Sequence, residues 1–290
     1  MATMSRKTGR SSTCQIANKE QILNTLKEIL HDHITYRNQL FKLAKADLKK
    51  TYSGAVLGGA WAVIRPAILI FVFWFAFTLG LRKGGDVDGY PFFLWMISGM
   101  IPWFYMRDMI TGGANSIRRY KYLVTKIKFP ISTIPTFISM ATMITHIGLM
   151  VLLVIIFMLF GYKPTIYILQ LPIYMLMMFM FFTVWGLFAG VLSCLSKDFL
   201  NLVKSLTQAL FWLSGILYDA SKISQDWIRE ILMFNPVTIV VNGYRSVFIK
   251  HVWFWENPSQ FINFGIVFLV MVVLAVWVYD KLKRDIPDVL

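Results

Sequence analysis

The chain has 290 residues, of which 57% are hydrophobic and only 15% are charged, and its mean hydropathy is +0.60. Soluble domains of this length contain fewer apolar and more charged residues, so the composition excludes a soluble globular protein. The formal net charge is +14, which attraction to anionic inner-leaflet lipid explains without any nucleic acid.

The N-terminal region contains two kinds of segment. Residues 1–19 are polar and basic, and they are predicted to form a disordered tail. From Glu20 onward the apolar residues recur at helical spacing, with Ile22, Leu26 and Ile29 on one face. Residues 20–54 are therefore predicted to form a cytosolic amphipathic interface helix that lies flat on the inner membrane surface. It is either a gate or docking element beside the first span or a simple interfacial anchor.

Residues 55–280 contain six apolar stretches that are long enough to cross a bilayer, because a helix rises about 1.5 Å per residue. Backbone amides in lipid must be paired within their own segment, so these stretches are predicted to be transmembrane helices. The fold class is thus an all-α membrane protein with a six-helix transmembrane domain. The predicted spans are residues 65–81, 92–112, 131–160, 168–195, 199–218 and 261–279.

The distribution of basic residues predicts the orientation. Of the 29 lysines and arginines, 21 lie in four segments, namely residues 1–65, 115–130, 197–204 and 280–290. These four segments alternate correctly to share one side of the membrane, and the positive-inside rule assigns that side to the cytosol. Both termini, including the tail 281–290, are therefore expected to be cytosolic.

The cytosolic loop between the second and third spans, residues 115–130, carries five basic and no acidic residues. Ordinary positive-inside charge accounts for this excess. The alternative is a contact surface for a soluble partner, because Tyr120, Tyr122 and Leu123 alternate with the charges of Arg118, Arg119 and their neighbours and offer apolar contacts.

The outer segment between the fifth and sixth spans contains two short helical patterns. Trp227 and Ile231 belong to an apolar stripe opposite charged residues, and Asn235 with Pro236 ends this helix before a second one begins. Neither helix can cross a bilayer alone. Within residues 223–249 we therefore expect two re-entrant helices that dip into the outer leaflet, where protein or water must cover their backbone.

Few ionisable groups lie well inside the predicted spans, namely Arg107, Asp108 and His146. Adjacent residues on a helix point about 100° apart, so Arg107 and Asp108 are not expected to neutralise each other directly. Either Arg107 faces a polar path in the outer half of a pore while Asp108 faces neighbouring helices, or both belong to polar packing near a helix end. His146 is expected to be a packed, hydrogen-bonded core residue rather than a ligand.

The sequence contains no motif for catalysis or for ion coupling. Residues 54–60 are glycine-rich but lack the lysine of a phosphate-binding loop, and no His/Cys cluster has metal spacing. The series of midplane carboxylates and the internal repeat typical of ion-coupled carriers are also not seen. We therefore expect no catalytic site, metal or cofactor in this chain, and another chain must supply the energy. An ion-coupled carrier and a membrane-bound transferase are the disfavoured alternatives.

Several motifs resemble the permease subunits of ABC exporters for cell-surface polymers, over nearly the whole chain from Glu20. They are residues 46–52, residues 57–61 with Pro66, residues 92–103 and residues 126–130. Residues 211–219, 235–236, 241–248 and 252–256 look most like the wall teichoic acid export permease of Gram-positive bacteria. The permeases for O-antigen and capsular polysaccharide share this framework and are the alternative.

The resemblance implies a complex of two copies of this chain with two cytosolic ATPase subunits, which would bind the ATP and Mg²⁺. It implies that residues 114–124 form the coupling helix and that residues 20–54 form the interface helix. The substrate would be an anionic teichoic acid polymer on an undecaprenyl diphosphate carrier. The complex would move it across the bacterial plasma membrane.

The resemblance also implies roles for individual side chains. Aromatic rings in the channel would stack on successive sugars without demanding a fixed register. Contact with the ATPase would involve Arg118, Arg119, Tyr120, Tyr122 and Leu123. The substrate path would include Trp103, Phe104, Arg107, Trp212 and Tyr218. The outer gate would include Trp227, Ile231, Asn235, Pro236, Tyr244 and Arg245.

Overall fold

The computed structural model describes residues 5–54, 56–77 and 86–290, with the side chains of residues 5–19 left out. Within this part of the chain the regular structure is helical, apart from one isolated bridge between Val87 and Tyr90. The α-helices in chain order are α1 (Ser5–Thr35), α2 (Arg37–Tyr52), α3 (Trp61–Phe75), α4 (Phe92–Ala114), α5 (Ser116–Arg119), α6 (Lys121–Thr125), α7 (Ile134–Leu159), α8 (Leu171–Leu195), α9 (Lys197–Leu213), α10 (Asp226–Met233), α11 (Pro236–Arg245), α12 (Pro258–Leu282) and α13 (Ile286–Val289).

Four helical segments among the described residues are long and apolar enough to cross a membrane, namely Gly58–Phe75, Ile131–Leu159, Ile166–Leu195 and Pro258–Leu282. Two more helices coincide with predicted spans. Helix α4 has 23 residues but includes Arg107 and Asp108, and α9 has 17 residues. The all-α architecture is confirmed, whereas the count of six spans stays a prediction. Residues 78–81, at the end of the first predicted span, lie outside the described residues.

Local sequence signals explain where several helices begin. A proline occupies the first turn of α7, α8, α11 and α12, where its fixed φ suits the helix and its missing N–H removes no intrahelical bond. Helix α9 instead begins after Ser196, whose side chain accepts a hydrogen bond from the Phe199 N–H at 3.3 Å. These signals separate α8 from α9 and α10 from α11 with very short connections.

Helix α4 forms the centre of the fold. It packs against α7, α8, α9 and α11, and most of its residues are buried. Small residues allow α4 and α8 to approach closely, because a Cβ on Gly113 would lie 2.9 Å from the Cα of Gly186. Helix α3 is the opposite case. No residue of Gly58–Phe75 is buried within the chain, so this segment lies at the periphery of the bundle.

The N-terminal region forms two helices rather than one. Helix α1 begins at Ser5, inside the segment that composition assigns to a disordered tail, and no proline interrupts residues 5–35. Helix α1 contacts the C-terminal end of α12, where Thr25 donates a 2.6 Å hydrogen bond to Asp280. Helix α2 packs against α7 and leaves Phe41 65% exposed. The flat position of this region on the inner membrane surface stays a prediction.

Candidate functional site

The loop between α4 and α7, residues 115–130, is fastened to the helix bundle by Arg118. Its guanidinium donates to the Ser193 carbonyl and, at 3.0 Å, to the Cys194 carbonyl. Both carbonyls belong to the last turn of α8, where the helix offers them no N–H partner. The positive charge also suits the negative end of the α8 dipole. Arg118 thus caps α8 and ties the loop to it.

A second attachment joins the loop to α2. The Arg119 guanidinium lies 2.7 Å from the Asp47 carboxylate, and the Tyr120 hydroxyl donates to the same oxygen. Asp47 is 5% exposed. Burial, together with the hydrogen bond to Asp47, raises the pKa of Tyr120 far above its ordinary value, so the phenol stays protonated and remains a donor. Movement of the loop would therefore pull on α2.

The surface that this loop leaves free is centred on Tyr122, whose side chain is 62% exposed. Ile127 is 53% exposed, and lysines 121, 126 and 128, which adjoin these two residues in sequence, are exposed as well. Leu123 of α6, in contrast, is buried. Arg118, Tyr120 and Leu123, which were expected to contact an ATPase, thus make most of their contacts within the chain. Tyr122 is the one that projects fully, and its role in docking stays a prediction.

The outer segment is organised around a buried arginine. Arg245, at the end of α11, is 2% exposed and donates to the carbonyls of Gly215 and Ile216 at 2.8 and 2.6 Å. Its guanidinium carbon lies 3.5 Å from the centre of the Trp95 ring, in the geometry of a cation–π contact. A Cβ on Gly99 would lie 2.9 Å from the Arg245 Nη2, so a larger residue at this position would displace the guanidinium. Arg245 therefore fixes the turn after α9 against α4.

Neighbouring residues of α11 complete this assembly. The Asn235 side chain caps α11 by accepting from the Val237 N–H, and its amide donates to the Ser214 hydroxyl, both at 2.9 Å. Pro236 follows in the first turn of α11. A Cβ on Gly243 would lie only 2.2 Å from the ring of Tyr174. The predicted break at 235–236 is therefore a helix cap, and the glycine permits contact between α11 and α8.

The apolar stripe of α10 points away from the bundle. Trp227 is 66% exposed and Ile231 is 61% exposed, whereas Leu232 is buried against the rest of the chain. Arg229 pairs with Asp226 on the same helix. The outward apolar face suits contact with lipid, and the re-entrant position of α10 stays a prediction.

The structure corrects two expectations for Arg107. Its guanidinium donates to the Asp108 carboxylate at 3.0 and 2.8 Å, because the long side chain bridges the angle between adjacent positions. The Asp108 side chain is half exposed, and it lines a cavity together with residues of α3 and α7. Arg107 is also seven residues from Ala114, about 10 Å along the helix, so it lies in the half of α4 that adjoins the loop. It does not lie in the outer half.

The aromatic residues assigned to a substrate path fall into two groups. Trp103 and Phe104 are buried, and Trp103 packs on Phe211 with ring centres 5.6 Å apart. Trp212 is 51% exposed on α9, and the Tyr218 hydroxyl donates to the Leu213 carbonyl at 3.0 Å. The contact between Trp103 and Phe211 holds α4 against α9. A contact of any of these residues with substrate stays a prediction.

Comparison with known proteins identifies the family. The family model of the ABC-2 type transporter matches residues 38–249, well over half of the chain. This chain belongs to the ABC-2 type transporter family. It is similar to the O-antigen export system permease protein RfbA of Myxococcus xanthus, with 25% identity over 217 residues that cover 74% of this chain and 82% of the relative. An O-antigen export system permease protein RfbA of Klebsiella pneumoniae is 23% identical over 252 residues, covering 87% and 94% of the two chains.

The ABC-2 permease is thus the multi-pass membrane subunit of a transporter, and permeases of this family normally work with a separate ATPase subunit. Among the described residues no group of three or more His, Cys, Asp or Glu side chains could hold a metal ion. The polar side chains described above join helices and loops of the permease to one another.

Two features of the permease are not among the predictions from the sequence. Asp47 is one, although it is the single acidic residue of the basic helix α2 and such a carboxylate signals a specific partner. The other is the contact of His146 Nε2 with the Tyr244 hydroxyl at 2.7 Å, which joins α7 to α11. His146 is 1% exposed, as expected for a packed core residue, but its partner lies 98 residues away in sequence.

Proposed function

We propose that this chain is the membrane subunit of an ATP-driven exporter that moves a lipid-linked cell-surface polysaccharide of the O-antigen class across the bacterial plasma membrane. The similarity to two O-antigen export permeases, over nearly the full length of both chains for the Klebsiella protein, carries this proposal. Two copies of the chain would enclose the channel and two cytosolic ATPase subunits would bind ATP and Mg²⁺. The polysaccharide would travel on an undecaprenyl diphosphate carrier.

The attachments of the loop 115–130 support a coupling role for it in this proposal. Closure of the ATPase dimer would push on the surface around Tyr122, and Arg118 would transmit the displacement to α8. Arg119 and Tyr120 would transmit it to α2 through Asp47. This coupling role requires the loop 115–130 to be cytosolic. The basic segments that flank the helices support that orientation, in which both termini are cytosolic as well.

The outer segment would form the gate above the substrate. The buried contacts of Tyr244 and Arg245 join α11 to α7, α4 and the turn after α9. Since α4 and α7 also flank the coupling loop, a displacement at the loop reaches the gate through continuous helices. Trp227 and Ile231 would anchor the gate in the outer leaflet.

Teichoic acid is the second candidate substrate, because residues 241–248 and 252–256 resemble those of teichoic acid permeases. The two candidates differ in charge, since a teichoic acid is a polyanion. Proteoliposomes that contain the permease and its ATPase distinguish them. We expect lipid-linked O-antigen polysaccharide to stimulate ATP hydrolysis and to become accessible on the other side of the membrane. Stimulation by lipid-linked teichoic acid alone would reverse the assignment. ATP-independent transport driven by an ion gradient would refute both.

A further inference from the structure

An apolar groove of about 570 Å³ lies between α3, α4 and α7. Ile70 and Trp74 of α3, Phe93 of α4 and Ile156 of α7 contribute to its walls. We call it the α3 groove. The α3 groove is partly open at the surface of the bundle, and its apolar walls suit contact with a hydrocarbon chain.

A polar cavity of about 150 Å³ adjoins the end of the α3 groove that is nearer to the loop 115–130, and Pro66 and Leu149 line both spaces. The side chains of Arg65, Arg107 and Asp108 line this polar cavity. With the loop 115–130 in the cytosol, as its basic residues predict, the composite site is cationic in its inner part and apolar in its outer part. That distribution matches an anionic amphiphile whose headgroup lies on the inner side of its hydrocarbon chain.

The polar cavity has a surplus of positive charge. Arg107 is paired with Asp108, whereas Arg65 has no carboxylate partner within the described residues and lies over the Trp61 ring at 5.7 Å. Thr51 and Tyr52, at the end of α2, add hydroxyl groups to the lining. Guanidinium groups offer planar donors that suit phosphate oxygens, and their presence near lipid favours an anionic partner.

We propose that the α3 groove and its polar cavity bind a polyprenyl diphosphate, with the diphosphate between Arg65 and Arg107 and the isoprenoid chain along α3. This proposal rests on the proposed function, in which the exporter receives a polymer on such a carrier. Two guanidinium groups match the two phosphates of this headgroup. A single groove also matches one hydrocarbon chain, whereas a phospholipid of the bilayer carries one phosphate and two chains.

The test uses the full chain with its ATPase in phosphatidylcholine nanodiscs and a photoreactive polyprenyl diphosphate probe. We expect the probe to cross-link to the α3 groove, with competition by undecaprenyl diphosphate and none by phosphatidylglycerol. Arg65→Gln and Arg107→Gln should each weaken probe binding about tenfold or more, because each removes charge-assisted hydrogen bonds to phosphate. Ile70→Trp should weaken it by filling the groove. Arg229→Gln, which removes a cation from α10, is the matched control and should bind normally.

Export of polysaccharide is measured on the same complexes. If an exporting complex binds the probe equally well with Arg65→Gln and Ile70→Trp, the groove proposal is wrong and the proposed function stands. Equal competition by phosphatidylglycerol would assign the site to bulk anionic lipid, and cross-links between two copies through the groove would assign it to a subunit interface; either result overturns the proposal. Failure of the wild-type complex to export polysaccharide would overturn the proposed function instead.

Discussion

Replacing Arg245 with methionine removes the guanidinium that holds the turn after α9. The variant leaves the carbonyls of Gly215 and Ile216 without their donors at a site that is 2% exposed. Each unsatisfied buried group costs about 1–3 kcal/mol, and the lost contact with the Trp95 ring adds about 1–2 kcal/mol. Methionine recovers part of this cost because it needs no buried charge. We expect a net loss of about 2–4 kcal/mol in the free energy of unfolding.

The measurement is equilibrium unfolding of the full chain in mild detergent by titration with SDS. Arg229→Met is the matched control, because the Arg229 side chain is 40% exposed on α10 and pairs with Asp226 and a nearby carbonyl. Arg229→Met should lower the free energy of unfolding by less than about 0.5 kcal/mol. Gly99→Ala should reproduce the Arg245 effect, since the new methyl group would lie 2.9 Å from the Arg245 Nη2. If Arg245→Met and Gly99→Ala both had the stability of the wild type, the role assigned to Arg245 would be refuted.

Three further outcomes follow from the structure. Tyr122→Ala should release the ATPase from the purified complex while Tyr122→Phe retains it, because the exposed ring supplies the apolar contact. In a cysteine-free background, a cysteine at Trp227 should resist a membrane-impermeant thiol reagent and one at Ser221 should react, because the predicted re-entrant position places lipid over the first alone. Gly243→Ala should destabilise the chain by about 1–3 kcal/mol, since its Cβ would lie 2.2 Å from the Tyr174 ring.

Each of these outcomes has a contradicting result. ATPase retention by Tyr122→Ala with normal transport-dependent hydrolysis would show that the loop docks through other residues. Equal labelling at both cysteine positions would mean that α10 lies in water. For the glycine, Gly148→Ala is the control, because a Cβ at that helical position has no neighbour within 4 Å. Equal stability of the two alanine variants would refute the close contact between α11 and α8.

The sequence alone located most of the long apolar helices of this protein, but it did not predict the division of the N-terminal region into α1 and α2. Hydropathy and helical spacing are properties of neighbouring residues, so they located α3, α4, α7, α8, α9 and α12 close to their observed bounds. Proline and asparagine signals likewise predicted the break before Pro236. The basic residues of the loop 115–130 and the helical stripe around Trp227 were recognised for the same reason. Family motifs added the class of transporter.

Only the tertiary structure decided what the individual side chains do. Arg118 is predicted to contact the ATPase, but it caps α8 through the carbonyl of Cys194, 76 residues later in the chain. Arg245 was assigned to a gate from its motif, yet its partners are the carbonyls of a turn about 30 residues earlier and the ring of Trp95. Local spacing cannot reveal such contacts, because they depend on which helix faces pack together. Free energies of burial and hydrogen bonding, summed over the whole bundle, select that packing.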